Sequence, residues 1–309
     1  MEPSHLARKE RCCLTALREL GRRLYKGRWG YFFILPNFVI FAAFFLVPVV
    51  WSMVLSLLDY QWWGTEFVGL RNYEQVFSNR IFWKAVVNTA YYTLGVVPLW
   101  LGKALLIAAL IFPFRKPLQT FFKGAFYLPH VTSAVILSMI WLWIYNPPFG
   151  LLNYLIGRIG LEPVAWLGNT RTAMPALIFM QVVMGGGSSI VLLSAAMNGI
   201  PTYLYEAAEL DGARPVQVFF RVTLPLLRPT LLYLVVTGTI NSFQVFTNIY
   251  LMTQGGPQFS TTTIVYMIYD TAFKQFQFGP ASAMAMVLFG ITALLAIVQF
   301  RWLGQEVEY

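Results

Sequence analysis

The sequence predicts an all-α integral membrane protein with six transmembrane helices, and three observations predict it. The 309 residues are 58% hydrophobic and only 11% charged, whereas soluble domains carry about 25% charged residues. A soluble fold of this size could not cover its surface with so little charge. Aromatic residues make up 17% of the chain, and Trp and Tyr gather at bilayer interfaces. Finally, the segments 31–58, 85–114, 124–145, 173–199, 230–253 and 280–302 are each apolar over the roughly 20 residues that a crossing requires. Lipid cannot satisfy open backbone groups, so each is expected to be helical.

Residues 1–30 form a basic tail containing Arg8, Lys9, Arg11, Arg18, Arg22, Arg23, Lys26 and Arg28. Much of the formal net charge of +9 sits there. Basic residues at the foot of a first span face anionic lipid, so membrane lipid is the expected partner and nucleic acid is not. Cys12 and Cys13 are adjacent, which suits neither a disulfide framework nor a CxxC metal pattern. Segment 31–58 has no charge and is far longer than the apolar core of a signal peptide, about 7–15 residues. It reads as an uncleaved first span, and residues 31–309 read as one transmembrane domain.

The second span carries Lys103, the one clear charge inside a span. Its stem can snorkel toward the cytoplasmic side or pack against a neighbouring subunit, or it can serve transport directly. Segments 59–84 and 146–172 are rich in Trp, Pro and Gly and are expected on the outer face as short interfacial elements. His130 follows Pro129 with no second His or acid cluster nearby, so no metal site is expected. Asp and Glu are absent from the span interiors; proton- and sodium-coupled carriers usually place an acid at midplane. Lys and Arg are denser in the N-terminal tail, at 115–123, at 214–228 and at Arg301 than in the alternate loops. That bias predicts cytoplasmic termini and a cytoplasmic 200–229 loop.

The 200–229 loop is polar between two apolar spans. Thr202 is placed to cap a helix that runs through Tyr203 to Asp211, and Gly212 to end it at the C′ position. Pro215 starts a second short helix with Val216, Phe219 and Phe220 on one stripe. Leu224-Pro225 is expected to break that helix before the fifth span. Ala207 and Ala208 leave room for close approach of another protein, and Glu206, Glu209 and Asp211 offer it charge. Interfacial helices favour Lys and Arg on their polar face, so these acids fit a protein partner better than lipid.

Glu206-Ala207-Ala208, Gly212 and Leu224-Pro225 stand at the spacings of the EAA motif, with Val222 where Ile is usual. The chain thus resembles the permease subunits of binding-protein-dependent ABC importers. Asp211-Gly212-Ala213, Leu224-Pro225-Leu226-Leu227, Thr253-Gln254-Gly255-Gly256-Pro257 and Phe278-Gly279-Pro280-Ala281 make it similar to the maltose and glycerol-phosphate branch. The resemblance implies a coupling helix that docks in a cleft of a separate ATPase subunit, with Glu206 pairing a basic residue there. It also implies a second homologous permease, two ATP-binding subunits and an extracytoplasmic solute-binding protein in a bacterial or archaeal plasma membrane. The chain has no GxxxxGK[ST] loop, so it is expected to bind no cofactor and to be no enzyme, with ATP and Mg on the partner subunits.

Thr237, Asn241, Gln244 and Asn248 recur at helical spacing along the fifth span, with Ser242 at the edge and Gly238 leaving room. They read either as interhelical glue or as pathway lining; Phe243 and Phe246 alternate with them. The fourth span adds Gln181, Gly185-Gly186-Gly187 and Ser188-Ser189, where three glycines permit close helix approach or a local break. The resemblance places the sugar-facing surface on Met184, Gly185 and Ser188, and on Gly238, Asn241, Ser242 and Val245. This region offers hydrogen bonds and no cation, which suits a neutral polyhydroxyl solute. A sugar or oligosaccharide is the expected cargo, with a phosphorylated polyol or other small polar solute as the alternative. A stand-alone secondary carrier, or a membrane anchor without a pathway, is the competing class.

Overall fold

The computed structural model describes residues 28–61 and 64–303; the basic tail before Arg28, with Cys12 and Cys13, lies outside the described residues. The chain divides into two compact units, Met1–Val54 and Leu55–Tyr309. The first holds α1 (Arg28–Phe41), a π-turn over Ala42–Leu46 and most of α2 (Val47–Leu55). Together these give an apolar helix long enough to span, Phe32–Leu55. The wide turn has a local cause. In a regular α-helix the Pro48 ring would collide with the carbonyl of Phe44 and leave it without a donor. The π-turn closes just before the proline, with Val47 N–H bonded to Ala42 O.

The second unit starts with an antiparallel hairpin, β1 (Leu58–Gln61) and β2 (Gly64–Phe67), and the short helix α3 (Arg71–Ser78). They fall almost entirely within segment 59–84, where short elements are expected. The axis of the unit is α4 (Arg80–Ile111), whose 32 residues extend about 48 Å at 1.5 Å per residue. The second span therefore begins earlier than Ala85, because Asn79 caps it by accepting from Ile81 N at 2.8 Å. Ala85, Ala104 and Ala108 on α4 are fully buried, and side chains that small let other helices come close.

Next come α5 (Lys116–Val131), α6 (Ala134–Ile144), α7 (Leu151–Arg158), α8 (Ala173–Met184) and α9 (Gly187–Asn198). The third span is not the single helix expected over 124–145: α5 and α6 meet at 90°. Thr132 and Ser133 both take extended ψ, and Ser133 Oγ restarts the helix by accepting from Val135 N at 3.3 Å. The fourth span bends by 46° between α8 and α9. Beyond it lie α10 (Thr202–Leu210), α11 (Pro215–Val218), a π-turn (Phe219–Thr223), α12 (Leu224–Leu226), α13 (Arg228–Phe243), α14 (Thr247–Met252), α15 (Ile264–Tyr269), a π-turn (Asp270–Lys274) and α16 (Phe278–Leu303). Among the described residues four helices are long and apolar enough to cross a membrane, and the count is six if each bent pair is one span.

Three apolar clusters hold the second unit together. Ala104, Ala108 and Ile111 pack with Ile190, Leu193, Met197, Leu227 and Leu234 near the 200–229 loop. Tyr92 and Val96 pack with Trp141, Leu177, Met180 and Ile249 toward the other end of α4. Phe82 and Ala85 pack with Phe243, Ile264, Met284 and Leu288.

Candidate functional site

The 200–229 loop is anchored on one face and bare on the other. Leu204, Tyr205 and Phe219 pack against the cluster of Ile111, Leu193 and Met197. The Tyr205 ring lies 5.7 Å from that of Phe112, and Thr223 Oγ1 donates to the Tyr205 hydroxyl at 3.3 Å. The opposite face exposes Glu206, Ala207, Glu209, Leu210 and Asp211. Leu210 is 90% exposed, and no ion pair holds these acids among the described residues. Gly212 turns the chain at φ +70°. Ala213 N bonds to Ala208 O at 3.0 Å and Gly212 N to Glu209 O at 2.9 Å, which satisfies the last carbonyls of α10. A Cβ at Gly212 would touch nothing within 4 Å, so the requirement for glycine there is conformational alone.

Two local expectations for this loop are corrected. Thr202 is the first helical residue and not the cap; Pro201 occupies the cap position with extended ψ of 132° and no side-chain bond. Leu224-Pro225 does not break the second helix. The π-turn over Phe219–Thr223 closes with Leu224 N–H bonded to Phe219 O, which widens the helix where the Pro225 ring would meet the Arg221 carbonyl. The chain then bends at Leu227, which is turned between α12 and α13. Asp211 caps the end of α10, and Ala208, Leu224 and Pro225 are half-buried.

The second locus is the break in the fourth span. Gly185 ends α8, and Gly186, at φ +98°, starts α9. Lys103 Nζ donates to the carbonyls of Val182, Val183 (3.0 Å) and Gly185 (2.6 Å). A cation on the C-terminal carbonyls of a helix is favoured by the helix dipole, and within an apolar span these carbonyls have few other donors. Lys103 thus caps the end of α8, and a cation does stand beside Met184 and Gly185. Trp100, one turn earlier on α4, fills the space the glycines leave open. A Cβ at Gly186 would lie 2.9 Å from Trp100 Nε1, and one at Gly238 would lie 2.9 Å from Trp100 Cζ3.

The structure separates the other proposed pathway residues. Ser188, Asn241 and Gln244 are exposed, Met184 and Val245 half-buried, and Gly238, Ser242 and Asn248 buried. The predicted stripe is interrupted, because α13 ends at Phe243 and α14 begins at Thr247. Asn248 accepts from Ser138 Oγ at 3.1 Å and donates to Gln181 Oε1 at 3.0 Å. It joins the third, fourth and fifth spans, as the glue reading would have it. Sequence reasoning missed Trp100 and Ser138: an aromatic or a serine in an apolar run gives no sign of what it faces. His130 lies beside Tyr127, ring centroids 5.5 Å apart, and no metal-binding group of His, Cys, Asp and Glu occurs among the described residues.

Residues 104–308 match the family of binding-protein-dependent transport system inner membrane components. The chain belongs to that family. This permease is 34% identical to the probable ABC transporter permease protein YurN of Bacillus subtilis over 277 residues, 88% of this chain and 94% of that one. It is 30% identical to the sulfoquinovosyl glycerol transport system permease protein SmoG of Agrobacterium fabrum, over 93% of this chain and 92% of that one. It is also 30% identical to the sn-glycerol-3-phosphate transport system permease protein UgpA of Salmonella typhimurium, over 94% of this chain and 99% of that one. Its fold is shared with a chain of a bacterial ABC transporter involved in import of the acidic polysaccharide alginate, at a TM-score of 0.80 and 24% identity over 94% of this permease and all of that chain.

Proposed function

We propose that this permease is the membrane subunit of an ATP-driven importer that carries a sugar or oligosaccharide. It works in a bacterial or archaeal plasma membrane with both termini cytoplasmic. A second homologous permease, two ATP-binding subunits and an extracytoplasmic solute-binding protein complete the machine. ATP and Mg stay on the partner subunits. One observation carries the reading: α10 is fixed to the spans through Leu204 and Tyr205 while Glu206, Leu210 and Asp211 face outward. A partner that engages the outer face would move the spans through the inner one. The sulfoquinovosyl glycerol named for one relative supports a sugar-containing cargo.

A second reading, the same machine carrying a phosphorylated polyol or other anionic solute, is favoured by Lys103. Its donors are taken by backbone carbonyls, so it would act on an anion through charge alone; the glycerol phosphate named for one relative is such an anion. Uptake into proteoliposomes holding the assembled importer, its binding protein and internal ATP tests both. The sugar reading expects ATP-dependent entry of a labelled oligosaccharide that excess glycerol phosphate does not reduce. Entry of glycerol phosphate alone favours the second reading, and entry without ATP contradicts both.

A further inference from the structure

The end of α4 away from the coupling loop carries a groove for which the transport path gives no account. It has a volume of about 980 Å³ and lies between the hairpin with α3 on one side and residues 275–280 on the other. A neighbouring cavity of about 480 Å³ shares Gln75, Gln275, Gln277 and Pro280 with it. Such volumes are typical of small-ligand clefts, whereas protein docking uses broad surfaces of roughly 800 Å² per partner.

The walls are held in place. Asn72 Nδ2 donates to Ser56 O and Leu58 O, each at 2.9 Å. Gly279 lets the opposite wall close on this floor, since a Cβ there would collide with Leu58 O and Asn72. On the far wall Lys274 pairs with Asp270 at 2.9 Å, and that bond raises the lysine above its ordinary range. Gln275 Nε2 donates to Asp270 Oδ2 at 3.0 Å and Gln277 N to Thr271 O at 3.0 Å. Between these ties Phe276 is forced to φ +58° and is 69% exposed. A bulky side chain adopts that conformation only when its surroundings impose it.

The result is an outward-held aromatic ring beside amides. The side chains of Gln75 and Gln277 have no hydrogen-bond partner among the described residues. An amide both donates and accepts, as a sugar hydroxyl does, and a flat aromatic face accepts the C–H face of a pyranose ring. Arg71 and Asp59 place both signs of charge on the rim, so the groove favours no single ionic species. We propose that this groove is a saccharide-binding subsite at the mouth of the permease, with Phe276 stacking on a sugar ring and Gln75 and Gln277 bonding its hydroxyls. The assignment rests on the carbohydrate reading above and adds a site outside the spans.

Saturation-transfer NMR on the assembled importer in nanodiscs, without its binding protein, tests it with maltotriose and trigalacturonate as probes. The expected result is saturation transfer to at least one trisaccharide, at least fivefold weaker in Phe276→Ala and in Gln75→Leu/Gln277→Leu, and kept in Phe276→Tyr. Transfer that survives both groove variants but is lost in Asn241→Leu would place the sugar in the spans and overturn the subsite. Absence of transfer to either probe would overturn it too. Labelled-oligosaccharide uptake by the same importer in proteoliposomes, with its binding protein outside and ATP inside, then separates the two failures: uptake preserved means that only the groove was misassigned, and uptake absent means that the carbohydrate reading fell with it.

Discussion

Gly212 and Lys103 show two ways in which a single residue sets geometry here. At φ +70° with open space around it, Gly212 accepts any side chain sterically but no β-branched one conformationally. Gly212→Val is expected to cost about 1–2 kcal/mol locally, to leave membrane insertion normal and to lower coupled uptake at least tenfold. Gly212→Asn, which tolerates the left-handed region, should keep most of it. Normal uptake by the valine variant would remove the turn from the coupling role. Lys103→Met strips a charged donor from three carbonyls at the end of α8. Bonds to charged groups contribute about 1.5–3 kcal/mol, so the purified permease should unfold several degrees lower, and an unchanged Tm would count against the cap. Trp100 and Gly238 should be coupled: Gly238→Ala is destabilising alone, and Trp100→Leu should relieve part of that cost in a double-mutant cycle. Gly212 was legible in the sequence because a positive φ has few alternatives. Trp100 was not, because its partners lie on two other spans.

Among the elements, the breaks show where a linear reading ends. Three glycines at 185–187 left close helix approach or a local break open in the fourth span, and the 46° bend is there. The fifth span carried no such mark, and its interruption at Gln244 turned a continuous polar stripe into an exposed pair, Asn241 and Gln244, and a buried pin, Asn248. Two π-turns share a pattern readable only with hindsight: each ends two residues before a proline, Pro48 or Pro225. The proline marks a widened turn there and not an ending. In α10, Glu206→Lys reverses one charge on the bare face without touching the Tyr205 anchor. The assembled complex is expected to retain at least fivefold less ATPase subunit on affinity purification, with the permease itself recovered in normal yield. Equal co-purification would leave Glu206 without a docking role.

The whole molecule was legible in outline because its solvent is lipid. Composition and span length need no tertiary information. The groove was invisible for the opposite reason: its walls come from residues 59–75 and 275–280, far apart in the chain and brought together by α4 and α16. What the account requires is that the 200–229 loop faces the cytosol and meets an ATPase there. Leu210, 90% exposed at the tip of α10, reports on both requirements when replaced by cysteine in a chain whose Cys12 and Cys13 are serine. A membrane-impermeant maleimide should label Leu210→Cys in inside-out vesicles stripped of ATPase subunits, and rebinding those subunits should slow the labelling at least tenfold. Labelling from the outer face of intact cells, or labelling indifferent to the ATPase, would contradict it.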